Sequence, residues 1–214
     1  MYMSKLTFDP VCIARQGIYD AHQALWTVFS DDPDRRRDFL YRRLDERTFL
    51  TVSDREPLHR DGLLRCEVKE YAPRLKAGDR VYFSLRFNPV VKRRDDKGRQ
   101  VRVDLVQDRR RRLAEQGVSP DGLPPWHVVA EEAARDWFAG RRDSLGLEVG
   151  DVLVEAYCTE TFARRRGERA ISLARIDAGG FARVTDPARL VESLRRGVGC
   201  AKGFGFGLLL LRRA

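Results

Sequence analysis

Val81-Tyr82-Phe83-Ser84-Leu85-Arg86-Phe87, stopped by Asn88-Pro89, is the stretch on which the fold turns. Apolar side chains at 81, 83, 85 and 87 alternate with Tyr82, Ser84 and Arg86, the period of a strand with one face buried. The proline, which lacks an N–H for the ladder, marks its end. Upstream, Tyr2 to Phe8 alternates in the same way. Between the two lies a helix over roughly Ile18 to Phe29, with Ile18, Ala21, Leu25 and Val28 on one stripe, closed by Asp31-Asp32-Pro33-Asp34. Extended segments follow at Asp38–Leu44, Thr48–Ser53 and Leu63–Val68.

Downstream, Lys92-Arg93-Arg94-Asp95-Asp96-Lys97-Gly98-Arg99 reads as an exposed hairpin or mobile loop, and the domain boundary is placed there. Beyond it come a short strand (Val101–Val106), the arginine block Arg109–Arg112, a proline-containing loop (Ser119–Pro125) and a helix around Val128–Ala139. Strands are expected near Leu147–Val149, Asp151–Phe162, Ala170–Ile176 and Gly180–Val184. Asp186-Pro187 is an N-cap and first-turn pair opening a helix to Arg196. Each half thus runs strand, helix, strands, helix or loop, strand. That order predicts an α+β fold of two ferredoxin-like units, residues 1–91 and 100–214, each an antiparallel sheet with helices on one face.

The 214 residues carry 41 Lys and Arg against 32 Asp and Glu, a formal charge of +9, so nucleic acid is the leading partner class. Cys12, Cys66, Cys158 and Cys200 are far apart and form no C-x-x-C pair, so neither a zinc site nor a disulfide framework is indicated. Leu208–Leu211 is too short to span a bilayer and no signal-peptide core opens the chain, so a cytoplasmic protein without membrane contact is expected. No H-E-x-x-H, clustered carboxylates or G-x-S-x-G is found, and no metal or cofactor is expected.

Two features carry candidate chemistry. The tract Gly197-Val198-Gly199-Cys200-Ala201-Lys202-Gly203-Phe204-Gly205-Phe206-Gly207 lacks the spacing of a nucleotide P-loop. Its glycines and lysine suit either an anion-binding nest or a tight structural turn. His22 lies on the first helix, with Tyr19 three residues before and Trp26 four after, so the three share a stripe. A histidine and a tyrosine on one face can move protons in metal-free RNA cleavage. The same spacing fits a half-buried aromatic stripe, and the residues alone leave the two open. His59 and His127, beside prolines, read as solvated. Of the arginine runs, Arg109, Arg110, Arg111 and Arg112 surround a helix and exceed what local carboxylates can pair, which points to an external polyanion such as RNA phosphates.

Several stretches together resemble the CRISPR-associated endoribonuclease family of the type I-E Cascade complex, the CasE family within the RAMP superfamily. They are Met1-Tyr2-Met3-Ser4-Lys5-Leu6, Tyr19-Asp20-Ala21-His22-Gln23-Ala24-Leu25-Trp26, Arg37-Asp38-Phe39-Leu40-Tyr41-Arg42, Tyr82–Pro89 and Leu194–Leu209. The resemblance implies tandem RAMP (RRM-like) domains. It implies metal-independent cutting of CRISPR precursor RNA at the base of the repeat hairpin, leaving a 2′,3′-cyclic phosphate and a 5′-hydroxyl. The protein is then expected to stay on the repeat RNA hairpin beside the other Cascade subunits. His22 falls on the family's catalytic histidine and Tyr19 on its supporting tyrosine. Lys202 with Gly197, Gly199, Gly203 and Gly205 matches its glycine-rich motif. Basic residues of the second unit are expected on the stem, and Arg164, Arg165 and Arg166 lie where a family arginine assists the scissile phosphate. Cys200 replaces a frequent proline, and the region from Gln107 to Trp137 is longer than the family's. Two other readings stay open: a non-catalytic RNA-binding subunit of the same assembly, and a general basic RNA-binding protein.

Overall fold

The computed structural model describes residues 1–13, 18–32, 34–162 and 170–214, and of residues 18–21 and 162 the backbone only. In chain order the elements are β1 (Tyr2–Phe8), α1 (Pro10–Ile13), α2 (Ile18–Phe29), β2 (Phe39–Arg43), β3 (Thr48–Ser53), β4 (Leu63–Glu70) and β5 (Arg80–Phe87). Then come β6 (Val90–Arg94), β7 (Gln100–Asp104), α3 (Leu105–Glu115), α4 (Trp126–Ala139) and α5 (Arg142–Leu145). β8 (Leu147–Phe162), β9 (Ile171–Val184), α6 (Pro187–Arg196) and β10 (Leu209–Arg213) complete the fold.

Two four-stranded sheets result, ordered β2-β3-β1-β4 and β10-β5-β9-β8, with β6 and β7 a separate ribbon. All pairings are antiparallel. Numbered within its own set, each sheet has the strand order 4-1-3-2 read from one edge, the ferredoxin-like order, so the tandem α+β expectation holds. The first unit has one crossover helix pair, α1 and α2. Between β3 and β4 there is only an irregular link, residues 54–62, interrupted by Pro57.

Three expectations need correction. β5 is a strand of the second sheet, so the sheets divide the chain within residues 71–79 rather than near 92–99. The polar stretch at 92–99 is the exposed hairpin that its sequence allowed, the β6–β7 ribbon, whose turn is tied by Asp95, with Gly98 N–H donating to Asp95 O at 2.8 Å and Arg99 Nε to Asp95 Oδ2 at 2.9 Å. Val101 and Val103 alternate with polar neighbours and mark its second strand, whereas Lys92-Arg93-Arg94 gives the first strand no such signal. The second error is the split at Asp177–Gly179: β9 runs unbroken. Gly179 and Gly180 are there for close approach rather than a turn, because a Cβ on Gly179 would collide with the Tyr82 hydroxyl and one on Gly180 with Asp151 O. The third is the split at Gly150, where β8 passes through with a bulge between Val149 and Val152.

α2 lays Leu25, Val28 and Phe29 against Leu6, Phe8 and Phe49 of the first sheet. On the second sheet, Phe83 and Phe87 meet Phe138 and Trp137 of α4 at ring distances of 5.0 and 4.2 Å. Burying a side chain such as Phe83 stabilises by roughly 1.5–3 kcal/mol. α6 starts as its sequence says, with Asp186 Oδ1 accepting from Arg189 N–H at 3.1 Å and Pro187 in the first turn. The faces of the two sheets turned away from their helices meet over Leu40, Val52 and Leu208. Arg42 crosses this seam, donating to Ser84 Oγ (2.8 Å), Ser84 O (3.1 Å) and Leu208 O (2.9 Å). Burial first, and then the charge of Arg86, push its pKa down to about 10.

Candidate active site

His22 sits one turn before the buried Leu25 and Val28, on the flank of α2 that leans over β2. It is half-buried among aromatic rings, 6.0 Å from Trp26 and 6.4 Å from both Phe39 and Tyr41. Its Nδ1 is shielded from solvent and has no hydrogen-bond partner among the described residues. Burial first, and the Arg37 guanidinium second, hold its pKa below the ordinary 6.5. The imidazole is therefore neutral at neutral pH and has a free lone pair.

Arg37 precedes β2 and points to the same side as Phe39 and Tyr41. Among the described residues it has no carboxylate partner, and its buried Nη1 is unpaired. Burial lowers its pKa, yet a guanidinium stays charged at any ordinary pH. The neighbouring carboxylates are occupied elsewhere: Asp38 by Arg55 at 2.8 Å and Asp54 by Arg195 at 2.7 Å. Tyr41 is buried, its phenol pushed far above the usual range by burial, and it donates to Gly203 O at 3.0 Å. It is a neutral anchor for the glycine-rich tract.

That tract follows α6 and turns through a 3₁₀ segment, Lys202–Phe204. Lys202 Nζ donates to Arg196 O at 2.7 Å, satisfying a carbonyl at the end of α6. Burial, then the charges of Arg37 and Arg196, lower its pKa. Arg37, Leu40, Asp54, Arg195, Arg196 and Lys202 surround an open pocket of ≈ 470 Å³. The anion-nest expectation is corrected in part. The amides of Gly197, Val198, Phe204, Gly205 and Gly207 all donate to carbonyls of the protein itself. The glycines admit neighbours instead: a Cβ would lie 3.1 Å from Arg37 Nη1 at Gly203, 3.1 Å from the Tyr41 ring at Gly205 and 3.2 Å from Trp137 at Gly199. Gly197 has φ +73° and would place a Cβ 2.6 Å from Leu40 Cδ2 and 3.0 Å from Gly207 O. Gly197→Ala is accordingly expected to destabilise the protein by about 1–3 kcal/mol, read as a lower urea midpoint at unchanged slope. An unchanged midpoint would mean that the loop re-forms around the methyl group.

The other candidates are distributed as follows. Tyr19 lies one turn before His22 on α2, and its side chain is outside the described residues. Arg164, Arg165 and Arg166 fall between the paired ends of β8 and β9 and also lie outside the described residues. His59 and His127 are exposed. Arg109–Arg112 lie on α3, whose own carboxylates leave part of the block over as expected, but no external polyanion is needed to take up the rest. Arg109 binds Glu132 (2.8 Å) and Asp136 (2.7 Å) on α4. Arg111 and Arg112 share Asp108 at 2.8 and 3.1 Å. Arg110 donates to Pro124 O and lies 4.1 Å over the Trp126 ring. Carboxylates from a second helix settle what a local count left over. Sequence reasoning missed Arg37 and Tyr41 as site residues. Their signal was the alternation 37, 39, 41 leading into β2.

No helix among the described residues is long and apolar enough to cross a membrane. A family model described as CRISPR associated protein matches residues 1–213. The chain is 27% identical over 219 residues to the CRISPR system Cascade subunit CasE of Escherichia coli K12, covering 99% of this chain and 98% of that one. It is 28% identical over 230 residues to the CRISPR-associated endoribonuclease Cse3 of Thermus thermophilus, covering 98% of each. A solved structure of CRISPR endoribonuclease Cse3 bound to a 19-nucleotide RNA has the same fold, with TM-score 0.72 and 24% identity over 99% of this chain and 100% of that one.

Proposed function

From the membership of this chain in the CRISPR associated protein family, established by the match over residues 1–213, we propose that it is a metal-independent endoribonuclease. Its substrate is CRISPR precursor RNA, cut at the base of the repeat hairpin, and it stays on the product as a cytoplasmic Cascade subunit. The likeness to CasE and Cse3 along the full chain supports this reading. The observation that carries it is His22: a half-buried imidazole, its Nδ1 without a partner among the described residues, that feels the charge of Arg37, which in turn lines a pocket with Lys202.

The chemistry follows from those groups. Neutral His22 accepts the proton of the ribose 2′-hydroxyl, and the oxygen attacks the adjacent phosphorus. Negative charge builds on the phosphoryl oxygens, where Arg37 and Lys202 stabilise it. The 5′-oxygen leaves with a proton, for which Tyr19, one turn earlier on α2, is the relay. The products are a 2′,3′-cyclic phosphate and a 5′-hydroxyl, and no metal takes part. Arg164, Arg165 and Arg166, and the exposed faces of Arg109, Arg110, Arg111 and Arg112, serve the RNA phosphates.

Incubating the protein with a repeat hairpin in EDTA tests the proposal. Cutting with cyclic-phosphate ends is expected. Intact RNA would make the chain a non-catalytic subunit, and equal binding of an unrelated stem-loop at matched salt would make it a general RNA binder. The pH dependence tests the role of His22. Its pKa lies below 6.5, so the single-turnover rate should rise with pH through that lowered value and then stay level across neutrality. A rate that falls between about pH 6 and pH 8 would instead assign His22 the protonated, acid role.

A further inference from the structure

The face of the second sheet turned away from its helices carries a second group of residues, on the opposite side of that sheet from α3 and α4. Alternation along β5 and β9 pairs Tyr82 with Phe181 and Arg80 with Arg183, and β10 sets Arg212 beside Tyr82. Phe181 and Leu153 are 50% and 59% exposed, which for side chains in the middle of paired strands leaves an uncovered apolar patch. Tyr82 lies edge to face with Phe181 at 5.4 Å. The glycine at 179 gives the tyrosine its place, since a Cβ there would collide with it. The Arg212 guanidinium covers the other side of the tyrosine ring, 4.4 Å from its centroid.

Charge decides what fits this patch. Arg80, Arg183 and Arg212 are all exposed, and no carboxylate among the described residues pairs with any of them. Of the acidic neighbours, Glu148 pairs with Arg142 at 2.7 Å and Asp177 with Arg86 at 2.6 Å, and the exposed Asp151 and Glu155 of β8 are outnumbered by the three arginines. A half-exposed aromatic ring flanked by unpaired arginines suits a ligand with alternating flat apolar faces and anionic links, which is single-stranded nucleic acid. A duplex keeps its bases stacked and has no free face for Phe181. We propose that this face binds an unpaired RNA segment of two or three nucleotides, stacking one base on Phe181 and holding the backbone with Arg183 and Arg80. The site is separate from His22 and from the pocket that Arg37 and Lys202 line, and its occupant as RNA rests on the proposed function.

The test uses the full chain and two probes, a fluorescent single-stranded oligouridylate and a blunt repeat hairpin. Phe181→Ala is expected to weaken the oligouridylate about tenfold, with Phe181→Tyr restoring it. Both variants should bind and cut the blunt hairpin within about twofold of the parent, which also shows that they fold. Arg183→Ala should weaken the oligouridylate and flatten its salt dependence by about one ion. Unchanged oligouridylate affinity in Phe181→Ala and Arg183→Ala would overturn the proposal and leave the patch to a protein partner. If the parent neither binds nor cuts the blunt hairpin, the proposed function fails, independently of the single-stranded result.

Discussion

His22→Ala should lower the single-turnover rate of cutting by about 10²–10⁴-fold, while leaving affinity for the hairpin within about tenfold. The magnitude follows from losing the group proposed to take the 2′-hydroxyl proton. The small effect on binding follows from chemistry: a neutral imidazole adds no charge to the grip on phosphates. His22 is also half-buried rather than wedged in the core, so truncation leaves the packing of Leu25, Val28 and Phe29 in place. The measurement is cleavage of a labelled repeat hairpin at saturating protein, with affinity from titration in parallel. Unimpaired cutting would remove His22 from the mechanism. A matching collapse of affinity would mean a structural defect.

Arg37→Ala should cost about 10²–10³-fold in the same rate, about 2.7–4 kcal/mol of lost charge stabilisation in the transition state. A second readout separates this from simple damage. The Arg37 charge holds the His22 pKa down, so removing it lets that pKa rise toward 6.5. The rising limb of the pH–rate profile should therefore move to higher pH in Arg37→Ala and stay in place in Arg37→Lys. Lysine keeps the charge and loses the planar fork, so its rate should fall between the two. A slow Arg37→Ala with an unmoved limb would place the guanidinium too far from His22 to act on it. Full activity would exclude Arg37 from the site.

Local period made most of the fold legible. Strand alternation located β1, β3 and β5, and the Asp186-Pro187 pair located α6. Where the sequence misled, a residue's partner lay far along the chain. Gly179 breaks a strand on paper, yet it is held in β9 by the ring of Tyr82. Arg37 closes a run whose first member, Arg35, pairs with Asp31 at the surface, so the whole run looks solvated. Only its phase with Phe39 and Tyr41 turns it inward. The four arginines of α3 show the reverse error, since Glu132 and Asp136 reach Arg109 from α4. His22 and Lys202 entered as candidates through resemblance. Helical spacing alone favoured reading the His22 imidazole as part of a half-buried aromatic stripe.

Tyr41 and Gly203 are bonded across 162 positions of sequence, and Arg42 reaches as far, to Leu208. A ribosome that has released the helix of His22 but not yet residues 202–208 therefore holds a polypeptide with half of the proposed site. Such a nascent fragment has an imidazole facing no lysine and a guanidinium with no seam to cross. On the proposed reading, competence arrives only when the last dozen or so residues of the chain have emerged.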